Sequence, residues 1–79
     1  MTSGEENAMA VDRKTALAIA HDDARRQYRD LSIYDVSIER SGRNWKIDYT
    51  LRDRRFQGGG PHYLISGDTG EIVFRRYEQ

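Results

Sequence analysis

Residues 45–52 read Trp-Lys-Ile-Asp-Tyr-Thr-Leu-Arg, a strict alternation of apolar and polar side chains. Successive side chains of a β-strand point to opposite faces, so this period of two gives one apolar face (Trp45, Ile47, Tyr49, Leu51) and one polar face (Lys46, Asp48, Thr50, Arg52). Just upstream, Val36 and Ile38 alternate with Asp35, Ser37 and Glu39. The intervening Ser41, Gly42, Arg43 and Asn44 carry hairpin chemistry, so the two runs are expected to pair antiparallel.

Downstream, residues 53–61 contain Gly58, Gly59 and Gly60 and close on Pro61, which reads as a flexible loop ended by a proline at the start of a strand. A short third strand is expected from His62 to Ile65. Ser66, Gly67, Asp68, Thr69 and Gly70 form a tight turn, and Glu71 to Tyr77 return as a fourth strand. Regular alternation there would put Ile72 and Phe74 on one face and Val73 and Arg75 on the other.

Upstream of the strands the period changes. Leu17, Ala20, Ala24, Tyr28 and Leu31 recur at three- and four-residue steps behind Asp12, a capping residue type, while Asp22, Asp23, Arg25, Arg26 and Arg29 fall largely off that stripe. The spacing predicts an amphipathic helix over about 12–29, with Ala20 and Ala24 allowing close approach to a sheet. Residues 1–11 are small and polar at their start and read as a disordered tail. The expected architecture is a single α+β domain over 12–79, one N-terminal helix on a three- to four-stranded antiparallel sheet in the order αββββ.

At 79 residues the chain has room for one core, and with no cysteine it lacks disulfides, thiol catalysis and Cys-based zinc sites. A dimer or a bound partner would supply further burial. The 13 Lys and Arg balance the 13 Asp and Glu, so no net field draws the chain to nucleic acid or an anionic membrane. No run approaches the roughly 20 apolar residues of a membrane span, and the first residues lack a signal-peptide pattern. The reading is cytoplasmic, with a mature exported domain left open.

The candidate chemistries fail on spacing. His21, Asp22 and Asp23 are adjacent on a helix and so do not converge on one ion. The serines at 32, 37, 41 and 66 have no supporting motif for a nucleophile, and Asp48 lies on a polar sheet face with nowhere to bury a substrate. The triple glycine is not followed by Lys-Ser or Lys-Thr on a helix, which removes a phosphate cradle, and residues 68–71 are too short for a calcium loop. Neither catalysis, a cofactor nor a metal is implied. What remains is a sheet face left uncovered by the helix, expected to mix Lys46, Thr50, Arg52, Val73, Arg75 and Tyr77, beside a loop holding Arg54, Arg55 and Phe56. Arginine and tyrosine among apolar residues is the composition of a protein interface, and Arg52, Arg54, Arg55, Phe56, His62, Arg75 and Tyr77 are the candidate partner-binding residues.

Residues 58–73, GGGPHYLISGDTGEIV, with the Trp45-x-Ile47-x-Tyr49 strand and the Asp68-Thr69-Gly70 turn, resemble two groups of small bacterial domains. One is the immunity-protein domains of polymorphic toxin systems, including those classed with the nuclear transport factor fold; the other is the PepSY domain. The resemblance spans about residues 13–77. It implies a non-catalytic module that binds another protein: an immunity-type inhibitor of a toxin, similar through Gly58 to Tyr63, or a PepSY-like regulator of a peptidase. A self-associating structural domain, a homodimer paired through a free sheet edge, is the third expectation.

Overall fold

The computed structural model describes residues 10–53, 55 and 59–78. Among these residues one helix, α1 (Arg13–Gln27), precedes four strands, β1 (Tyr34–Ser41), β2 (Asn44–Leu51), β3 (His62–Ser66) and β4 (Ile72–Arg76). They form one sheet in the order β1-β2-β3-β4 with every neighbour antiparallel. The αββββ architecture expected from the sequence is the one observed. No helix among the described residues is long and apolar enough to cross a membrane.

The helix begins where its cap dictates. Asp12 has extended backbone, and its carboxylate accepts from the Thr15 amide at 2.8 Å, satisfying one of the free N–H groups of the first turn. The helix stops at Gln27, two residues before the expected end. Tyr28 is extended (φ −126°, ψ 136°), which sets its ring edge-on to Tyr34, 5.9 Å between centroids. The buried stripe runs through Ala20 and Ala24 as expected but begins at Ala16 instead of Leu17. Ala16, Ala20 and Ala24 are fully buried and Leu17 only partly, so an almost flat alanine face packs on β2 and β3.

Trp45, Ile47, Tyr49, Tyr63 and Ile65 meet that face, as the period of two requires. Tyr49, Tyr63, Ile47 and Ile65 are the largest fully buried apolar side chains. The β1–β2 hairpin turns through Gly42 and Arg43, with Ser41 opposite Asn44 and Gly42 at φ 64°. A two-residue hairpin needs a positive φ there, which glycine adopts without steric cost.

Val11, assigned to the tail, is buried. Its N–H donates to the Gly67 carbonyl at 2.9 Å, and its carbonyl accepts from the Trp45 indole at 2.8 Å. Trp45→Phe should therefore cost about 2 kcal/mol, since the smaller ring underfills its site and leaves the Val11 carbonyl without its donor. Urea denaturation reads this directly; a loss below about 0.5 kcal/mol would mean that water replaces the indole.

The glycine loop departs from expectation at its end. Gly60 and Pro61 are buried, and they extend the ladder beyond β3: the Gly60 N–H donates to Tyr49 O (3.0 Å) and the Tyr49 N–H to Pro61 O (3.1 Å). The second departure is in β4. Leu64 pairs with Phe74 but Ile65 pairs with Ile72, so Val73 is the extra residue of a β-bulge. A bulge reverses the facing of the residues beyond it. Ile72 packs on the core, whereas Phe74 goes to the uncovered face with Leu64, and Arg75 goes to the helix side with Tyr63. The expected grouping of Ile72 with Phe74, and of Arg75 with the open face, is thereby corrected.

Candidate functional site

The open face of the sheet is built from the polar alternates of β1 and β2 plus the residues that the bulge delivers. Ser41, Lys46, Asp48, His62, Leu64, Phe74 and Arg76 line a concavity of about 420 Å³. Register accounts for the set: Lys46 lies opposite Leu64, and Leu64 opposite Phe74; Asp48 lies opposite His62, and His62 opposite Arg76. One row is mainly apolar and the next is charged. Phe74 is 50% exposed, and so is Val73 beside it on the free edge strand.

The charged row is tightly paired. His62 Nδ1 lies 2.7 Å from Asp48 Oδ1, and Lys46 Nζ lies 3.3 Å from Asp48 Oδ2. Burial pushes the Asp48 carboxyl up, but the hydrogen bonds from His62 and Lys46 and their charges outweigh it, holding the group below the ordinary carboxylate range. The other imidazole nitrogen, Nε2, is buried and makes no hydrogen bond among the described residues; it faces Glu78 Oε2 at 3.4 Å, and that carboxylate binds Arg76 at 2.9 Å. An Asp–His pair acts as a general base only when the free nitrogen meets a proton donor, and here it meets a carboxylate. Among the described residues no group of three or more His, Asp or Glu side chains is placed to hold a metal ion.

The opposite, helix-covered face holds a second polar centre. Asp23, 8% exposed, accepts from the Tyr63 hydroxyl (2.9 Å), the Tyr77 hydroxyl (2.6 Å) and the Arg75 guanidinium (2.9 Å). Burial alone would raise this carboxyl, but the two phenols and the guanidinium overcome it and hold the acid below its ordinary value of 3.8. Tyr63 packs edge-on to Tyr49, Tyr49 to Tyr34, Tyr34 to Tyr28 and Tyr28 to Tyr77, at 5.9–6.3 Å. All five tyrosines thus form a ring that Asp23 closes.

No family model, curated protein or solved structure matches this chain. The resemblance to immunity and PepSY domains therefore rests on the motifs of residues 45–49 and 58–73 alone.

The sequence-derived candidates do not form one patch. His62 lies in the open-face concavity. Arg75 and Tyr77 are on the other side of the sheet, engaged with Asp23, and the Arg75 guanidinium also lies 5.7 Å from the Tyr77 ring centroid. Arg52 closes the β1–β2 end by binding Asp35 (3.0 Å) and the Tyr34 carbonyl (3.2 Å). Arg55 is exposed and paired with Asp53 at 2.8 Å. Arg54 and Phe56 lie outside the described residues.

Phe74 and Asp23 are the residues that sequence reasoning missed. Nothing in the sequence marks the bulge that turns Phe74 outward. Asp23 did carry a signal, because it lies three residues after Ala20 and seven after Ala16, on the buried stripe.

The tyrosine ring makes the fold sensitive to alkali. Burial raises the Tyr63 phenol far above its ordinary 10.0, reinforced by its bond to Asp23, and burial raises Tyr49, Tyr28 and Tyr77 as well. A folded-state value above the unfolded one contributes stability that is complete below pH 10 and is lost as pH rises through the folded value. Tyr49 and Tyr63, each 1% exposed, should each remove up to about 1.4 kcal/mol per pH unit between pH 10 and their folded values. Circular dichroism and tyrosinate absorbance are expected to change together in one cooperative step. Independent ionisation at pH 10 with the fold intact would refute this.

Proposed function

We propose that this domain is a non-catalytic protein-binding module whose partner adds an extended segment along the free edge of β4 and places a side chain in the open-face concavity. The observation that carries the reading is the half-exposed Val73–Phe74 pair on an edge strand, with Phe74 and Leu64 on the concavity's apolar side and Lys46, Asp48, His62 and Arg76 around it. An edge strand supplies unpaired backbone groups for main-chain hydrogen bonds, and the pocket beside it supplies selectivity. Apolar residues within a charged rim are the usual anatomy of a protein interface. The facing of His62 Nε2 toward Glu78 favours a binding role over a catalytic one. The narrower form of the proposal, supported by the resemblance of residues 58–63, is an immunity-type inhibitor that occupies a toxin.

The free β4 edge equally favours a second reading, self-association through antiparallel β4–β4 pairing. One experiment separates the two. The tagged domain and its Phe74→Asp variant are used to isolate a partner, and the complex is rebuilt from purified components and followed by amide hydrogen exchange. Protection of residues 72–76 by a toxin, lost in Phe74→Asp, supports the first reading. Concentration-dependent protection of the same amides with no partner present supports the second. A rebuilt complex that leaves residues 72–76 unprotected would overturn both.

A further inference from the structure

A single helix about 10–12 Å wide covers about two strands spaced roughly 4.8 Å apart, and α1 lies across β2 and β3. The two flanks of that helix end differently. On the β4 side, Arg75 and Tyr77 reach across to Asp23 and close the gap. On the β1 side no such bridge among the described residues spans Val36, which is 43% exposed; Ile33 is 45% exposed. Two adjoining concavities run there: one of about 430 Å³ lined by Lys14, Leu17, Ala18, His21, Val36 and Tyr49, and one of about 390 Å³ lined by His21, Arg25, Arg29, Leu31 and Ser32. His21 is common to both, so they form one groove along α1, about 16 Å long from Lys14 to Arg25 at 1.5 Å per residue.

We propose that this groove between α1 and β1 seats an acidic amphipathic helix of a partner protein, at a surface separate from the β4 edge. The floor is apolar through Leu17, Ala18 and Val36, and the α1 rim is basic through Lys14, Arg25 and Arg29. Asp22 binds both Arg25 and Arg26 at 3.0 Å, one carboxylate against two guanidinium groups, and the Asp12 carboxylate acts on Lys14, so the positive excess sits at the Arg25–Arg29 end. Asp30 is engaged by the Ser32 amide and hydroxyl. On β1, Asp35 and Glu39 alternate to the other face of the sheet, where they pair with Arg52 and Lys46.

A second helix laid beside α1 at the usual 8–10 Å would cover β1 and complete the layer that α1 begins. Charge selects the occupant. A helix with an apolar stripe flanked by Glu complements the rim, whereas a second copy of this chain would bring its own basic rim against the first.

The test is an NMR titration of the labelled domain with a designed peptide of about five helical turns carrying a Leu stripe and Glu flanks. A scrambled peptide of the same composition and a single-stranded oligonucleotide serve as controls. Shifts should concentrate at Leu17, Ala18, His21 and Val36. Affinity should fall at least tenfold in Val36→Asp and severalfold in Arg29→Glu, an exposed position that leaves the core untouched. Phe74→Asp should leave this binding unchanged even where it abolishes pairing at β4, so failure here and failure of the edge reading are distinguishable. Dispersed shifts, equal binding of the scrambled peptide, oligonucleotide binding at the same residues, or self-association abolished by Val36→Asp would each overturn the proposal.

Discussion

Asp23→Ala is expected to destabilise the domain by about 3 kcal/mol, more than any other single loss of a charge, although the same residue reads in the sequence as half of a surface Asp-Asp pair. The size follows from the groups left without a partner. Tyr63 is 1% exposed, so its hydroxyl would have no acceptor and no route to water, and Arg75 and Tyr77 would lose the anchor that holds the end of β4 against α1. Those two side chains are partly exposed and can rehydrate, so the Tyr63 hydroxyl carries most of the penalty. Tyr63→Phe should accordingly cost only about 1 kcal/mol, because it removes the donor and leaves Asp23 with two partners.

Asp23→Asn keeps the shape and an acceptor oxygen, and an intermediate loss is expected. It also removes a titration. With its folded value below 3.8, Asp23 contributes stability that is complete above that pH and is lost as pH falls through the folded value. The urea midpoint of the wild type should therefore drop as pH falls below about 4 with a component that Asp23→Asn lacks. Parallel acid profiles for the two proteins would show that the carboxylate is not held by its three partners.

Legibility from sequence followed the reach of each signal. The strand of residues 44–51 was readable because its alternation reports a single choice, which side is buried, and the observed burial of Trp45, Ile47 and Tyr49 follows that pattern. The helix cap was readable because an Asp side chain and an amide three residues on interact locally. The facing of Phe74, Arg75 and Tyr77 was not, since it depends on one inserted residue in β4, and a bulge at Val73 has no local marker in Ile-Val-Phe-Arg-Arg. That single register shift moves the candidate site. It takes two of the expected arginine and tyrosine contacts into the interior network and puts an unexpected phenylalanine on the open face. Asp23 is obscured for a different reason: its charge argues for the surface, while its place on the alanine stripe identifies it as buried.

Gly60→Ala is expected to cost about 2–3 kcal/mol. The cause is space, not backbone strain, since its φ is not positive. A Cβ at position 60 would lie 2.7 Å from Tyr49 Cβ and 3.0 Å from Tyr34 Cε1. Neither neighbour can yield cheaply: Tyr49 Cβ is fixed to the backbone of central strand β2, and the Tyr34 ring is itself wedged between Tyr28 and Tyr49. Two other glycines calibrate the claim. At Gly59 the nearest atom is Glu78 Oε1 at 2.9 Å, the far end of a side chain that can swing aside, and alanine there should be nearly neutral. At Gly42 a Cβ meets nothing within 4 Å, so only the positive φ of 64° is penalised, by about 1 kcal/mol. Urea midpoints should therefore rank Gly60→Ala as the least stable, then Gly42→Ala, then Gly59→Ala. If Gly60→Ala is no worse than Gly59→Ala, the close approach of residue 60 to Tyr49 does not exist in solution. The ladder that carries His62 into the open-face concavity would then begin at β3 itself, without the Gly60–Tyr49 pairing that now extends it.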